Sequence, residues 1–264
     1  MKEPRITVLI GAYNCATTLI EALDSLMNQT YKDFIVVLCD DGSKDDTLNI
    51  ATNYAASHNN FVIIKNEHNM GLNYTLNHCL EYANTDYVAR MDGDDISLPT
   101  RFEKEIGFLD THPEYAIVSA PMIHFDENGD FRTGHAIEYP QKRDFIHGTP
   151  FCHAVSMSRT KVIKEVGGYS VDDRLLRVED YHLWMKVYAA GFKGYNIQEP
   201  LYKMRDDRNA LMRRNWKNRK KEIYVRHIGF KMLELPWYTQ FYALRPFIAH
   251  IVPSWFYKLY HRRS

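Results

Sequence analysis

Four short apolar segments alternate with helical patterns over residues 5–92, and this alternation restricts the possible folds more than any other feature. Each segment is rich in β-branched or large apolar residues, and three of the four stop at a glycine or an aspartate, as buried strands often do. Single helices between consecutive strands favour right-handed crossovers and parallel pairing, which predicts a doubly wound, mostly parallel α/β sheet. The predicted strands are 5–10, 34–39, 61–64 and 87–91.

Polar clusters follow three of these strands, and the parallel order brings the clusters to one edge of the sheet. Ligands of such sheets bind outside the carboxyl ends of the strands, so this edge is the expected binding site. An aromatic ring, an amide and several carboxylates should therefore lie together. The clusters are Tyr13-Asn14, Asp40-Asp41 and Asp92-Gly93-Asp94-Asp95.

The segment from Asp92 to Asp95 carries three carboxylates in four residues. Such groups repel one another unless a cation lies among them, and oxygen ligands at a sheet edge suit Mg²⁺ or Mn²⁺ shared with substrate phosphates. A solvated acidic turn is the alternative. The sequence contains neither GxGxxG nor GxxxxGKS/T, so a bound nucleotide would need a metal to neutralise its diphosphate.

Five further side chains have both a functional and a structural interpretation. Asp41 could accept hydrogen bonds from a base or ribose, or it could cap the helix that follows. Tyr13 could stack on a base, although a tyrosine at a strand end is commonly part of the core or rim. His153 is more commonly a structural residue than a ligand. Glu179 and Asp180 open a helix, where they cap it or supply a general base for a hydroxyl.

Weaker patterns predict the remaining elements. Thr18 and Glu21 have the spacing of a capping box before the first helix. The four cysteines have no paired spacing and are expected to be reduced, and no signal peptide or spanning apolar run is seen, so a cytoplasmic protein is expected. Beyond Pro99 the predictions are helices over 101–110, 160–166 and 179–190, a strand over 116–119 and an Asn-Gly hairpin loop at 126–130.

Charge divides the chain, although the net charge is zero. From residue 201 onward there are 15 Lys or Arg against 4 Asp or Glu, which leaves 18 against 29 in the first 200 residues. The basic tail is rich in aromatic residues and is interrupted by Pro236, Pro246 and Pro253. This combination predicts short helices that lie on an anionic membrane surface without crossing it. A helical flap packed on the body is the alternative, and the acidic body disfavours nucleic acid as a partner.

Taken together, these motifs resemble family 2 glycosyltransferases of the GT-A fold. The segments VLIGAYN, DDGSKDDT, NMGLNYTLN, ARMDGDDIS and VEDYHLWMKV occur in the family's order, and the resemblance covers residues 7–205. The form ARMDGDDIS looks like a branch common among bacterial surface-polysaccharide transferases. Two positions depart from the family pattern: Gly11 stands where proline is frequent, and Gly93 stands where alanine is preferred. Neither departure removes a reacting group.

The resemblance implies a role for each matching residue. Asp180 would be the catalytic base, with Glu179 and Trp184 shaping the acceptor pocket. The residues implied in binding the nucleotide-sugar are Ala12, Tyr13, Asn14, Asp41, Arg90, Asp92 and Gly93, with Tyr13 and Asp41 at the base and Arg90 near the diphosphate. Those implied in holding Mn²⁺ or Mg²⁺ are Asp92, Asp94, Asp95 and His153.

The implied activity is inverting, metal-dependent transfer of a hexosyl or N-acetylhexosaminyl group from a nucleotide-sugar, expected to be a UDP-sugar. The acceptor would be a hydroxyl of a glycan or lipid-linked molecule at the inner face of the cell membrane. The implied catalytic domain covers 1–205, with a nucleotide-binding half (1–98) and an acceptor-binding half (99–205), and a helical extension covers 206–264. Two other functions remain open: a nucleotidyltransferase, which more commonly has a glycine-rich basic loop, and a non-catalytic nucleotide- or glycan-binding module.

Overall fold

The computed structural model describes residues 3–206 and 216–247. The strands are β1 (Ile6–Ala12), β2 (Phe34–Asp40), β3 (Phe61–Lys65), β4 (Tyr87–Asp92), β5 (Ile96–Ser97), β6 (Tyr115–Ser119), β7 (Met122–Asp126), β8 (Gly129–Thr133), β9 (Met157–Arg159), β10 (Lys193–Asn196) and β11 (Tyr202–Arg205). The helices are α1 (Leu19–Met27), α2 (Thr47–Ala56), α3 (Leu72–Glu81), α4 (Arg101–Thr111), α5 (Thr160–Glu165), α6 (Glu179–Ala189), α7 (Trp216–Met232) and α8 (Gln240–Ala243).

Seven strands form a central sheet in the order β10-β6-β9-β4-β1-β2-β3. Every neighbouring pair in it is parallel except those of β9, which runs antiparallel to β4 and to β6. The four strands predicted in residues 5–92 are all present. The structure thus confirms the α/β class and the mostly parallel sheet.

Helices cover both faces of the central sheet because its inner strands are apolar on both sides. In β1, the side chains of Val8 and Ile10 lie in the core shared with α1 and α4. Leu9, between them, lies in the core shared with α3, α5 and α6. All three side chains are at most 2% exposed, and their alternation follows the two-residue period of a strand. Burial on both faces explains why these strands appear in the sequence as continuous apolar runs.

The register of the central strands brings the residues of the expected binding site together. Gly11 near the end of β1 lies opposite Cys39 of β2 and Asp92 of β4. The residues that follow the three strands are therefore neighbours at one edge, as the sequence predicts. Hydrogen-bonded strands are about 4.8 Å apart, so side chains from all three loops can contact one small ligand.

The structure contains a second, four-stranded sheet in the order β5-β11-β7-β8, which the sequence patterns do not predict. Within it, β7 and β8 form the predicted hairpin, with Asp126 paired to Gly129 across the turn. The strands β5, β9, β10 and β11 contain two to four residues each. Such short segments are too brief for a hydrophobic period to reveal them.

Helix α7, the first helix of the C-terminal region, packs on the α/β body. Gly229 of α7 approaches α6 so closely that a Cβ would lie 2.1 Å from the Sδ of Met185. Val225 and Phe230 are fully buried beside it, and Arg226 donates a hydrogen bond to the carbonyl of Ile146 at 2.7 Å. The helix predicted in this region is present as α7. Its packing agrees with the alternative in which the tail forms a helical flap on the body.

Other parts of the predicted tail are not covered. The basic residues Arg213 and Arg214, and the aromatic and basic segment from 248 to 264, lie outside the described residues. Within 3–206 and 216–247, the helices are all too short or too polar to span a bilayer.

Candidate active site

Hydrogen bonds to the loop after β2 fix the loop after β1. The backbone N–H of Asn14 donates to Ser43 Oγ at 3.0 Å, and the backbone N–H of Lys44 donates to Asn14 Oδ1 at 2.8 Å. Asn14 has a left-handed backbone conformation with φ of 51°, which asparagine tolerates better than most residues. The neighbouring Tyr13 side chain is 45% exposed and is therefore accessible to a ligand.

Asp41 organises the turn that precedes α3. Its buried carboxylate accepts hydrogen bonds from Asn66 Nδ2 at 2.7 Å and from the backbone N–H groups of Met70 at 2.8 Å and Gly71 at 3.0 Å. Gly71 has φ of 88°, and a Cβ there would lie 2.8 Å from Leu176, so this turn requires glycine. A carboxylate offers about four acceptor positions, which leaves Asp41 able to accept a further hydrogen bond from a ligand.

The three carboxylates after β4 lie in different surroundings. Asp92 pairs with the buried guanidinium of Arg90. Asp94 is exposed at the edge of the sheet. Asp95 is buried, and its Oδ1 accepts the backbone N–H of Arg205 at 2.7 Å. Burial, together with the charges of Asp92 and Asp94, raises the pKa of Asp95 to about 8, so this carboxyl belongs to the interior of the turn.

Thr18 and Arg205 hold the same turn against neighbouring elements. The Thr18 hydroxyl donates to the carbonyl of Gly93 at 3.1 Å, and it makes no capping hydrogen bond to α1. Glu21 pairs with the Arg205 guanidinium, so the prediction of a capping box is wrong. Arg205 Nε also donates to the carbonyl of Asp94 at 3.0 Å. The second sheet, through β11, therefore fixes the backbone of the acidic turn.

Two adjoining pockets open at this edge, and both are lined by Gly11 and Tyr13. The larger pocket has a volume of about 500 Å³ and the smaller one about 390 Å³, which suits small-molecule ligands. The larger pocket is lined by residues that include Ala12, Tyr13, Asp41, Arg177, Glu179 and Lys221. The smaller pocket is lined by residues that include Tyr13, Asn14, Asp92, Gly93, Asp94 and Arg205.

Most residues implied in nucleotide binding thus meet at two connected pockets. The structure adds three cationic side chains that the sequence patterns do not indicate, namely Arg177, Arg205 and Lys221. Lys221 belongs to the basic tail, whose charge alone gives no sign that one of its residues reaches the site. Arg177 and Arg205 stand outside every motif in the sequence.

Glu179 and Asp180 begin α6 beside the larger pocket. The largely buried Glu179 lines this pocket, and its carboxylate accepts the backbone N–H of Arg177. Asp180 is half-buried, and burial together with the neighbouring Glu179 charge raises its pKa to about 7. A carboxyl group with a pKa near neutral is well matched to proton abstraction at physiological pH. Asp180 itself lines neither pocket, and its role as general base stays a prediction.

Two residues implied at the site lie in the interior instead. Arg90 is only 3% exposed and donates hydrogen bonds to Asp92 and to the carbonyl of Met91. Arg90 therefore holds the acidic turn by hydrogen bonds and lines neither pocket, in contrast to its expected position near a diphosphate. Trp184 is fully buried, packs edge-to-face against Phe151 and lines neither of the two pockets.

The carboxylates at the smaller pocket fit a divalent cation in their chemistry. Within 3–206 and 216–247, no three His, Cys, Asp or Glu side chains are already grouped as a metal site. His153 Nε2 is hydrogen-bonded to the Tyr169 hydroxyl at 2.7 Å, Asp95 accepts the backbone N–H of Arg205, and neither residue lines the smaller pocket. Although Asp94 is exposed, partial desolvation at the pocket wall and the Asp92 charge raise the pKa of its carboxyl, and a cation would relieve that repulsion. Two such carboxylates, completed by phosphate oxygens, form a donor set that Mg²⁺ or Mn²⁺ accepts.

The fold is that of the GT-A glycosyltransferases. The crystal structure of S. aureus TarS 1–349 in complex with UDP matches with a TM-score of 0.71, covering 95% of this chain and 72% of that one at 19% identity. At this identity the likeness establishes the fold alone. The sequence comparison is more specific, because the model of Glycosyl transferase family 2 matches residues 7–167, and the chain belongs to this family.

Two relatives extend the comparison beyond the family model. Putative glycosyltransferase EpsE of Bacillus subtilis is 38% identical over 261 residues, which cover 98% of this chain and 94% of EpsE. The Escherichia coli UDP-Glc:alpha-D-GlcNAc-diphosphoundecaprenol beta-1,3-glucosyltransferase WfaP is 30% identical over 193 residues, which cover 72% of this chain and 73% of WfaP. The likeness to EpsE therefore includes the region of α7.

Proposed function

We propose that this glycosyltransferase moves a hexosyl or N-acetylhexosaminyl group from a UDP-sugar to a hydroxyl of a glycan or lipid-linked acceptor in polysaccharide synthesis. The observation that carries the proposal is the larger pocket, where Tyr13 and Asp41 can bind a base while Glu179, beside Asp180, lines the same space. The name of WfaP states a UDP-sugar donor and a diphosphoundecaprenol-linked acceptor, which supports this substrate class.

Asp180 is the proposed general base. It removes the proton from the acceptor hydroxyl while that oxygen attacks the anomeric carbon on the face opposite the diphosphate. The bond between the anomeric carbon and the diphosphate oxygen breaks in the same displacement, so the configuration inverts. A positioned base of this kind contributes about 10²–10⁴-fold to the rate.

Asp92 and Asp94 are the proposed holders of Mn²⁺ or Mg²⁺ at the smaller pocket. When bound, the cation supplies charge neutralisation for the diphosphate leaving group. Arg90 pairs with Asp92 and holds its carboxylate at the rim of the pocket. Arg205 donates to the carbonyl of Asp94 and keeps the backbone of the turn in place.

The proposal has a second part: the C-terminal region contacts an anionic membrane at its cytoplasmic face. An exposed aromatic patch on this region supports it. Its side chains are 42–76% exposed, far more than apolar groups inside a packed flap. Contiguous exposed apolar surface marks an interaction site, and aromatic residues with nearby basic ones suit the bilayer interface. The patch consists of Trp237, Tyr238, Phe241, Tyr242, Leu244 and Phe247.

Nucleotide release from a panel of UDP-, GDP- and dTDP-sugars, with Mn²⁺ and with EDTA, tests the activity. We expect UDP release that requires the divalent ion, together with a transferred or hydrolysed sugar of inverted configuration. Release of pyrophosphate from a nucleoside triphosphate and a sugar phosphate would support the nucleotidyltransferase instead. Nucleotide binding without any turnover would support the non-catalytic module.

Co-sedimentation with vesicles of phosphatidylglycerol and phosphatidylcholine tests the membrane contact. The double substitution Trp237→Ser and Phe241→Ser should reduce binding to anionic vesicles. The control changes Ile137→Ser and Tyr139→Ser, two exposed side chains outside the aromatic patch. Equal sedimentation of the parent and the patch variant would contradict the proposal.

A further inference from the structure

Helix α7, which lies outside the segment matched by the family model, contributes a cation to the larger pocket. We propose that Lys221 of this helix and Arg177 of the loop before α6 bind the phosphate groups of the nucleotide-sugar. This inference rests on the proposed function, because it assumes that the larger pocket takes the donor. It adds two phosphate-binding residues to those that the motifs of the sequence contain.

Lys221 differs from the two cations that immediately precede it in the helix, Arg219 and Lys220. Arg219 pairs with Glu222 at 2.7 Å, and the ammonium of Lys220 lies 5.7 Å from the centroid of the Trp216 ring. Lys221 is half-buried at the wall of the pocket and has no hydrogen bond or ion pair with residues 3–206 or 216–247. A partly desolvated ammonium that lacks a protein partner is well placed for an anionic ligand.

Arg177 also lines the larger pocket, and it has an unfavourable backbone conformation. Its φ is 74°, a left-handed value that costs a non-glycine residue about 1–3 kcal/mol unless its surroundings enforce it. The carboxylate of Glu179 enforces it here by accepting the Arg177 N–H. The guanidinium forms no ion pair or hydrogen bond within the described parts of the chain. Backbone strain of this kind is characteristic of functional sites.

The carboxylates of the pocket leave these two cations available. Asp41 accepts hydrogen bonds from Asn66, Met70 and Gly71 and forms no ion pair within the described residues. Glu179 is occupied by a backbone N–H. The pocket therefore offers two uncommitted positive charges, and a diphosphate is the part of a nucleotide-sugar that carries negative charge. Phosphate oxygens are strong acceptors for both an ammonium and a guanidinium.

Calorimetry with UDP and with uridine, in Mn²⁺ and in EDTA, tests the inference on the full chain. The variants are Lys221→Met, which keeps the apolar stem, and Arg177→Gly, which keeps the left-handed turn. We expect each to weaken UDP binding about tenfold or more while uridine binding is unchanged, because a hydrogen bond to a charged group is lost. Lys221→Arg should restore most of the affinity. Lys220→Met, at the neighbouring exposed position, is the control and should bind UDP like the parent.

The outcomes separate this inference from the proposal on which it depends. Parent-like UDP affinity in both variants would overturn the inference and leave the proposed function intact. An equal loss of UDP and uridine binding would also overturn it, since the residues would then shape the pocket without contacting phosphate. Failure of the parent itself to bind UDP or uridine would overturn the proposed donor and the inference together.

Discussion

Asp180→Asn should nearly abolish turnover and at the same time stabilise the folded protein above pH 7. The amide has almost the shape of the carboxylate but cannot take a proton, so donor binding should persist while the chemical step slows about 10²–10⁴-fold. The gain in free energy of unfolding follows from the raised pKa of the Asp180 carboxyl. Burial and the Glu179 charge raise the pKa of Asp180 from 3.8 to about 7 in the folded state.

The sign of the pH effect follows from proton linkage. Between pH 3.8 and about 7, the folded protein retains a proton on Asp180 that the unfolded chain has lost. The free energy of unfolding contributed by this group therefore falls as the pH rises through that window, and it stays low above it. A shift of about three pKa units corresponds to at most about 4 kcal/mol. The advantage of Asp180→Asn over the parent should grow between pH 4 and pH 7 by up to this amount.

The same pKa sets the acid limb of the rate profile. If Asp180 is the base, kcat/KM of the parent should fall as the pH drops below about 7, approaching about tenfold per pH unit in the acidic range. Glu179→Gln removes the neighbouring negative charge but keeps an oxygen that can accept the Arg177 N–H. The pKa of Asp180 should then be lower, and the acid limb should move to lower pH.

Two measurements check this reasoning. UDP release is followed from pH 5 to pH 9 for the parent, Asp180→Asn and Glu179→Gln. Urea unfolding is followed from pH 4 to pH 8 for the parent and Asp180→Asn. A kcat for Asp180→Asn within about threefold of the parent would show that Asp180 is not the base. An acid limb that stays in place in Glu179→Gln would refute the charge coupling between the two carboxyl groups.

Three further substitutions test the packing of α7, the packing of the acidic turn and the proposed metal ligand. Gly229→Ala should lower the free energy of unfolding by about 1–3 kcal/mol in urea titrations, because its Cβ would lie 2.1 Å from the Sδ of buried Met185; an unchanged midpoint would mean that α7 does not pack here. Gly93→Ala should slow transfer, since its Cβ would lie 2.9 Å from Cys15 Sγ, and adding Cys15→Ala should recover the rate; a single variant as fast as the parent would contradict this. Asp94→Ala should remove the Mn²⁺ dependence of UDP binding in calorimetry without lowering the melting temperature, and a retained dependence would exclude Asp94 as a ligand.

The doubly wound sheet was predictable from the sequence because its central strands are buried on both faces. Strands such as β1 and β2 therefore appear as continuous apolar runs between helical repeats. The second sheet was not predictable, since β5 and β11 contain two and four residues and pair across a long stretch of sequence. The acidic turn after β4 was located correctly, yet its support by Arg205 depends on that second sheet.

The sequence by itself determined which residues stand at the carboxyl ends of the parallel strands, and so it located Tyr13, Asp41 and the acidic turn at one edge. Local periodicity is sufficient for this, because strand ends and parallel order follow from short apolar runs. Tertiary structure alone decided where the individual side chains point. Asp95 turns inward to a backbone N–H that lies 110 residues away, and Lys221 reaches the pocket from the basic tail. Side-chain direction is set by contacts between distant segments, and no local pattern records them.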